Sequence, residues 1–456
     1  MPKRSSFKNR FSFYLLAIGS ACGLGNLWRF PYIVGENGGG AFLLLYVFLA
    51  LTIGLTLLIS ELMIGHFTGV SILAASRQVS KQTKKPIFLF GWLSLLISAM
   101  VLSYYSVICG WVLHYLTQFL ISLFQHDTNS YLAQMSVNML QQNGWLQFLL
   151  ASVHLLIAVV IVVKGFEEGV ERWVTYLLPV FVLLVVILLI GSLSLDTTPD
   201  VLRFLFYPDF SKLNWSSLGH AVGHVFFTLS LGFGTMVTFG SYFKDKENLA
   251  TIGFRVTMID TLISIVSVLL IFPIAFSSSK LPLTDPSLLF EVLPQFLSTY
   301  KGGVIFGLIF FLCLWLAALN ASVGLLETIT ANLVEKRPDF KRSRSAIISG
   351  SAILFVTVFP AFSGTLFKNF KISGHGLIEI LDLFLINGLL PVAGLGMVII
   401  ALLGLNERDR SQMFIDIQNP TSSAMYSHWK FCLKWVVPAV IFLGLGLQVL
   451  GFFFKS

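Results

Sequence analysis

Two short stretches place polar chemistry inside apolar runs. GSACGLGNLWRFP (Gly19 to Pro31) carries Gly19, Gly23, Gly25, Asn26 and Arg29, and FFTLSLGFG (Phe226 to Gly234) carries Thr228, Ser230, Gly232 and Gly234. Side-chain and freed carbonyl oxygens suit a hard cation, and free backbone N–H groups at a helix break suit an anion such as a carboxylate. Together they can hold a zwitterion and a metal ion. Enzymatic chemistry is poorly served: the chain has no nucleophile elbow, no HExxH and no phosphate loop, and its Gly-rich stretches lack the third glycine of a dinucleotide fingerprint. Cys22, Cys109, Cys313 and Cys432 lie in or beside apolar runs without the spacing of a disulfide framework or a metal cluster, and read as packing residues.

The elements that position these groups follow from composition. Of 456 residues, 56% are hydrophobic and 11% charged, against roughly 25% charged in a soluble domain. Apolar runs long enough to cross a ~30 Å hydrocarbon core recur throughout, near residues 11–35, 41–68, 88–124, 145–164, 171–194, 217–243, 251–277, 301–334, 345–362, 375–405 and 431–453. The expectation is an all-α integral membrane protein with eleven transmembrane helices. Most of the 30 Lys and Arg fall on one side if the N-terminus is cytoplasmic, which sets the orientation of a multi-pass protein of the cell's inner (plasma) membrane. The same placement explains the net charge of +8 without a nucleic-acid partner.

Gly costs about 1 kcal/mol relative to Ala inside a helix, and unwound backbone at membrane depth persists only where it is buried in protein or lines a cavity. Interruptions in the first and sixth spans therefore point to an inverted repeat with a site between its halves. The expected division is 1–200 for helices 1–5, 201–410 for helices 6–10 and 411–456 for one extra C-terminal helix. Close packing through small residues is the plainer reading of the glycines; the accompanying Asn26, Arg29, Thr228 and Ser230 argue against it.

GSACGLGNLWRFP, the following GENGGGAF (Gly35 to Phe42), SYYSVICGW (Ser103 to Trp111), FFTLSLGFG and LAALNASVGLLE (Leu316 to Glu327) resemble the neurotransmitter:sodium symporter family, in its bacterial amino-acid transporter branch. The resemblance spans nearly the whole chain. It implies two five-helix inverted repeats with unwound helices 1 and 6, and sodium-driven uptake of an amino acid by alternating access. It also implies one sodium surrounded by Ala21, Asn26, Thr228 and Asp260, and a second by Gly19, Cys22, Ala317 and Asn320. In that second set Ala321 stands where relatives commonly carry a hydroxyl, so one side-chain oxygen is missing.

For the substrate, the resemblance assigns the carboxylate to the Tyr105 hydroxyl and the amides of Gly23 to Gly25, and the amine to carbonyls around Ala21, Phe227 and Ser230. Val101, Phe227, Phe233, Ala321, Ser322 and Leu325 would line the side-chain pocket. Gly23 carries no carboxylate and Ala321 leaves room, which favours a neutral, hydrophobic amino acid of leucine or aromatic size. Implied gates are Arg29 with Asp382 outside and Arg4 with Glu335 inside, near Tyr242, with Glu61 bracing the sixth span. Intramembrane charges mark function because they are costly when unpaired. Chloride stays open: Tyr46, Thr228 and Ser264 would accept it, Asp260 opposes it, and His224 reads equally as an anion partner, a proton relay or a core residue. Two other readings remain: an amino-acid receptor uncoupled from sodium by Asn320 and Ala321, and a transporter assisted by protons through His224.

Overall fold

The computed structural model describes residues 10–21, 23–124, 136–243, 248–277, 288–372, 374–414 and 422–454. Arg4 and Cys22 lie outside them. The described residues are helical with turns, and the one β-bridge among them joins Ile372 to His375.

Nine helices among the described residues are long and apolar enough to cross a membrane. The described residues begin with α1 (Arg10–Ala21); Gly23 is a bend, and one wide turn at Gly25–Arg29 leads into α2 (Phe30–Glu36). Then come α3 (Gly40–Thr68), the short α4 (Ile72–Thr83), α5 (Phe88–Ser122), α6 (Gly144–Val163) and α7 (Phe166–Leu193). The second half repeats the theme, with α8 (Trp215–Thr228) and α9 (Thr235–Tyr242) separated by turns, then α10 (Leu249–Ser277), α11 (Gly303–Lys336), α12 (Arg342–Ala361), α13 (Leu377–Gly404) and α14 (Ala424–Gln448).

Local sequence explains the ends of these helices. Asn143 accepts the Leu146 N–H at the start of α6, and Asn214 with Ser217 forms a reciprocal cap on α8; both satisfy backbone donors that a helix leaves free at its first turn. Pro31 sits in the first turn of α2, where its missing N–H costs nothing.

Helices α5 and α11 pack along one another through the middle of the molecule, whereas α14 is mostly exposed on its outer faces, as suits a helix at the lipid boundary. Two glycines allow α3 and α9 to touch at backbone distance. A Cβ on Gly65 would stand 1.9 Å from the Val237 carbonyl oxygen, and one on Gly240 would stand 2.4 Å from that of Leu62. Any side chain at either place would push the two helices apart.

Candidate functional site

The two glycine-rich stretches meet at the centre of the protein. In the first, α1 is described to Ala21 and Gly23 is a bend, and residues 229–234 of the second are turns between α8 and α9. Ser230 has φ 54°, and Gly232 and Gly234 have φ 79°, a left-handed conformation that only glycine adopts without strain. Ser230 is held there by Ser20: its hydroxyl donates to the Ser20 carbonyl at 3.0 Å. Glu61 of α3 holds Gly232, accepting its N–H at 2.7 Å, while the second carboxylate oxygen of Glu61 has no hydrogen-bond partner.

Between these breaks lies a cavity of about 20 Å³, room for roughly one water molecule. The first break lines it with Ser20, Ala21, Gly23 and Gly25, and the second with Phe227, Thr228, Ser230 and Phe233. Tyr105 of α5 and Ala321 and Leu325 of α11 complete it. The Tyr105 hydroxyl accepts the Leu24 N–H at 3.1 Å, joining two groups that the resemblance assigns to one carboxylate. Gly23 and Gly25 face inward: a Cβ would lie 3.1 Å from the Ala321 Cβ and 2.9 Å from the Phe227 ring respectively.

Val101 and Ser322 are buried but line no part of the cavity. The Ser322 hydroxyl pairs instead with His154 at 2.9 Å. Ser20 was not among the residues singled out by sequence; its position between Gly19 and Ala21 in the broken stretch was the available signal.

Beside the cavity stands a second cluster made of oxygen and amide groups. Asp260 of α10 is fully buried. Thr228 and Asn26 donate to its Oδ1, each at 2.7 Å, and Tyr46 donates to Oδ2 at 3.3 Å. Asn26 also donates to Ser264 at 2.9 Å, and its own Oδ1 accepts the Gly23 N–H at 3.2 Å. No Lys, Arg or His among the described residues lies within ion-pair distance of Asp260. A buried carboxylate with hydrogen-bond donors but no cation is a ready ligand for a hard metal ion.

Of the other implied cation set, the described residues are Gly19, Ala317 and Asn320. Asn320 is buried, and neither its amide oxygen nor its nitrogen has a hydrogen-bond partner. Gly19 lies against it, a Cβ there being 3.8 Å from Nδ2, and Ala317 is buried one turn earlier on α11. His224 stacks on Phe30 with ring centroids 4.7 Å apart and lies 5.3 Å from the Tyr46 ring, and neither of its nitrogens makes a hydrogen bond.

Two of the elements that line the cavity carry an ion pair. On one, Arg29 meets Asp382 at 3.2 Å, donates to Asn387 at 3.0 Å and stands 5.8 Å over the Phe227 ring; Tyr104 donates to the same carboxylate at 3.0 Å. On the other, Glu327 is fully buried and ion-paired with Arg342, and the Tyr242 hydroxyl donates to it at 2.8 Å. Sequence reasoning placed Tyr242 near Arg4 and Glu335, whereas here its hydroxyl meets Glu327; it missed Glu327 and Arg342, because Arg342 sits in a basic run that topology alone accounts for. Glu335, two turns further along α11, accepts hydrogen bonds from Ser71.

Comparison with known proteins agrees with this architecture. The model of the sodium:neurotransmitter symporter family matches residues 4–143 and 126–453. An uncharacterized sodium-dependent transporter of Bacillus subtilis (strain 168), YhdH, is 29% identical over 444 residues, covering 97% of this chain and 97% of the relative. Another uncharacterized sodium-dependent transporter, MJ1319 of Methanocaldococcus jannaschii, is 30% identical over 418 residues, covering 88% and 82%. The crystal structure of MhsT in complex with L-phenylalanine superposes with a TM-score of 0.87 at 29% identity, covering 98% of this chain and 100% of that one. With a family model over nearly its whole length and a shared fold, the chain belongs to the sodium:neurotransmitter symporter family.

Proposed function

We propose that this protein is a sodium-coupled symporter that imports a neutral, hydrophobic amino acid by alternating access. The family is one of membrane transporters and not of enzymes. The observation that carries the reading is Asp260: a buried carboxylate with three donors and no cationic partner, touching Thr228 of the broken stretch that lines the cavity. In this reading sodium is a co-substrate held by Asp260, Thr228, Asn26 and the Ala21 carbonyl. The amino acid's carboxylate takes the Tyr105 hydroxyl and the nearby amides.

The cavity walls support an apolar side chain, since Phe227, Phe233, Ala321 and Leu325 supply most of them. Phenylalanine in MhsT is consistent with a large neutral substrate. A cavity of about 20 Å³ does not admit such a molecule, so binding requires its walls to separate. Sodium bound from outside would favour the open state, and Phe227 would then close over the substrate beneath Arg29 and Asp382.

Two interrupted stretches, Arg10–Glu36 and Trp215–Tyr242, added to the nine long helices make eleven crossings. They divide into helices 1–5, helices 6–10 and a final one, with the N-terminus cytoplasmic and the protein in the plasma membrane. Asn320, with both polar atoms unpartnered beside Gly19, suits a second sodium whose shell is completed by water where Ala321 offers no oxygen.

The test is uptake of radiolabelled leucine, phenylalanine and glycine into proteoliposomes under an inward sodium gradient, with potassium as control. Accumulation of the larger substrates with sodium alone supports the symporter, and the sodium titration slope counts the ions. Binding without accumulation would instead identify a receptor.

A further inference from the structure

Behind the cavity wall, a polar contact between two buried side chains joins α6 to α11. Ser322 of α11 is fully buried, and its hydroxyl lies 2.9 Å from Nε2 of His154, itself fully buried on α6. Cys109 of α5, one turn after Tyr105, is fully buried beside the same hydroxyl. Nδ1 of His154 has no hydrogen-bond partner. Buried polar atoms are nearly always paired, and those that are not require a reason. An apolar residue would fill this place on α6 without leaving an unpaired nitrogen.

The reason lies in what the imidazole does to Ser322. Ala321 and Leu325 flank Ser322 on α11 and both line the cavity, yet Ser322 does not, and no lining residue comes from α6. One step along a helix turns a side chain by about 100°, so Ser322 sits at the edge of the lining face. The α11 part of the cavity wall, Ala321 and Leu325, is purely apolar.

We propose that His154 is a positioning residue that sets substrate specificity at a distance: it holds the Ser322 hydroxyl behind the wall, so that the side-chain end of the cavity offers no hydrogen bond and hydroxylated amino acids are disfavoured against apolar ones of the same shape. The inference rests on the amino-acid reading of the cavity, and it assigns the discrimination to a helix that never touches the substrate. A site that can hydrogen-bond a substrate hydroxyl discriminates sharply for it, and one that cannot leaves that hydroxyl unpaired.

Valine and threonine are nearly isosteric and differ by a methyl against a hydroxyl, which makes them the probes. Equilibrium displacement of radiolabelled leucine by each, in sodium, is measured on the purified full-length protein; this readout does not require transport. In His154→Leu the freed Ser322 hydroxyl turns toward the cavity, and threonine gains about fivefold relative to valine, the size of one added neutral hydrogen bond. His154→Leu combined with Ser322→Ala returns the ratio to the wild-type value. His154→Gln, whose amide still holds the hydroxyl, stays near it.

A shift that persists in the double variant, or no shift in a His154→Leu protein that binds leucine normally, overturns the proposal. If His154→Leu does not fold, Ser322→Ala decides alone: a threonine-to-valine ratio within twofold of wild type supports the proposal, and a larger change means that the hydroxyl already faces the substrate. Wild-type uptake is run in parallel. Its absence removes the symport reading while the displacement ratios still report on His154, and absence of displaceable leucine binding removes both.

Discussion

Glu335 takes the start of α4 as its partner: its two carboxylate oxygens accept the Ser71 N–H at 2.9 and 3.0 Å, and one of them also accepts the Ser71 hydroxyl at 2.9 Å. Three residues earlier on the same helix, Asn332 accepts the Leu73 N–H at 3.0 Å. One end of α11 thus caps α4 with side chains remote in sequence, meeting donors that a helix leaves unsatisfied at its first turn. Glu335→Ala is expected to destabilise the protein by about 1–2 kcal/mol, the scale of a lost cap. Glu335→Gln, which keeps one acceptor, should lose less. Denaturant unfolding followed by tryptophan fluorescence reads the difference, and equal stability of all three proteins would refute it.

Glu61 tests the brace on the broken stretch. Its removal leaves the Gly232 N–H buried and unpaired, at a cost of about 1–3 kcal/mol placed directly on the backbone next to the cavity. Glu61→Ala is expected to lower sodium-dependent leucine uptake about tenfold or more, with Glu61→Gln intermediate because its amide oxygen still accepts. Wild-type uptake by Glu61→Ala would show that residues 229–234 hold their shape without it.

The donors around Asp260 bear on chloride dependence. Tyr46 and Thr228 both direct their hydroxyls at its carboxylate, and Asn26 spends its amide hydrogens on Asp260 and Ser264. With the protein supplying its own anion, uptake should be unchanged when chloride is replaced by gluconate. Asp260→Ala should abolish sodium-dependent leucine binding. Strong chloride dependence of the wild type would contradict this assignment.

Arg342 and Glu327 should behave as a pair. Taking away one partner of a buried ion pair costs about 3–5 kcal/mol, whereas replacing both is far milder. Arg342→Gln is therefore expected to be more harmful than Glu327→Gln with Arg342→Gln together, because Glu327 is fully buried. A double-mutant cycle on unfolding stability gives the coupling, and additive single effects would argue that the contact carries no energy.

The sequence made the helices and their two interruptions legible for local reasons: apolar length sets a crossing, and glycine with Asn or Thr inside one is conspicuous. Most residues of the cavity were named from the family resemblance together with those interruptions, and Ser20 was missed. Pairings across long stretches of chain were not legible. Nothing in the run that contains Arg342 distinguishes it from Lys341 or Arg344, and only the packing of α12 on α11 selects it for Glu327. Glu335 likewise finds Ser71 across 264 positions. Ser322 shows the limit most clearly. Its neighbours face the cavity, and which way its hydroxyl turns depends on a histidine on another helix.

The contact at Gly65 and Gly240 has a mechanical consequence. Side chains between helices act as compliant spacers that repack as helices slide; here main chain rests on main chain, so α3 and α9 are separated by no such spacer at this contact. Helix α8 is joined to α9 in sequence only by residues 229–234, which no helical ladder stiffens. Phe227, at the end of α8, and Phe233, just before α9, therefore lie on opposite sides of a non-helical segment. Bending there changes the distance between two aromatic walls of the cavity while every long helix keeps its shape.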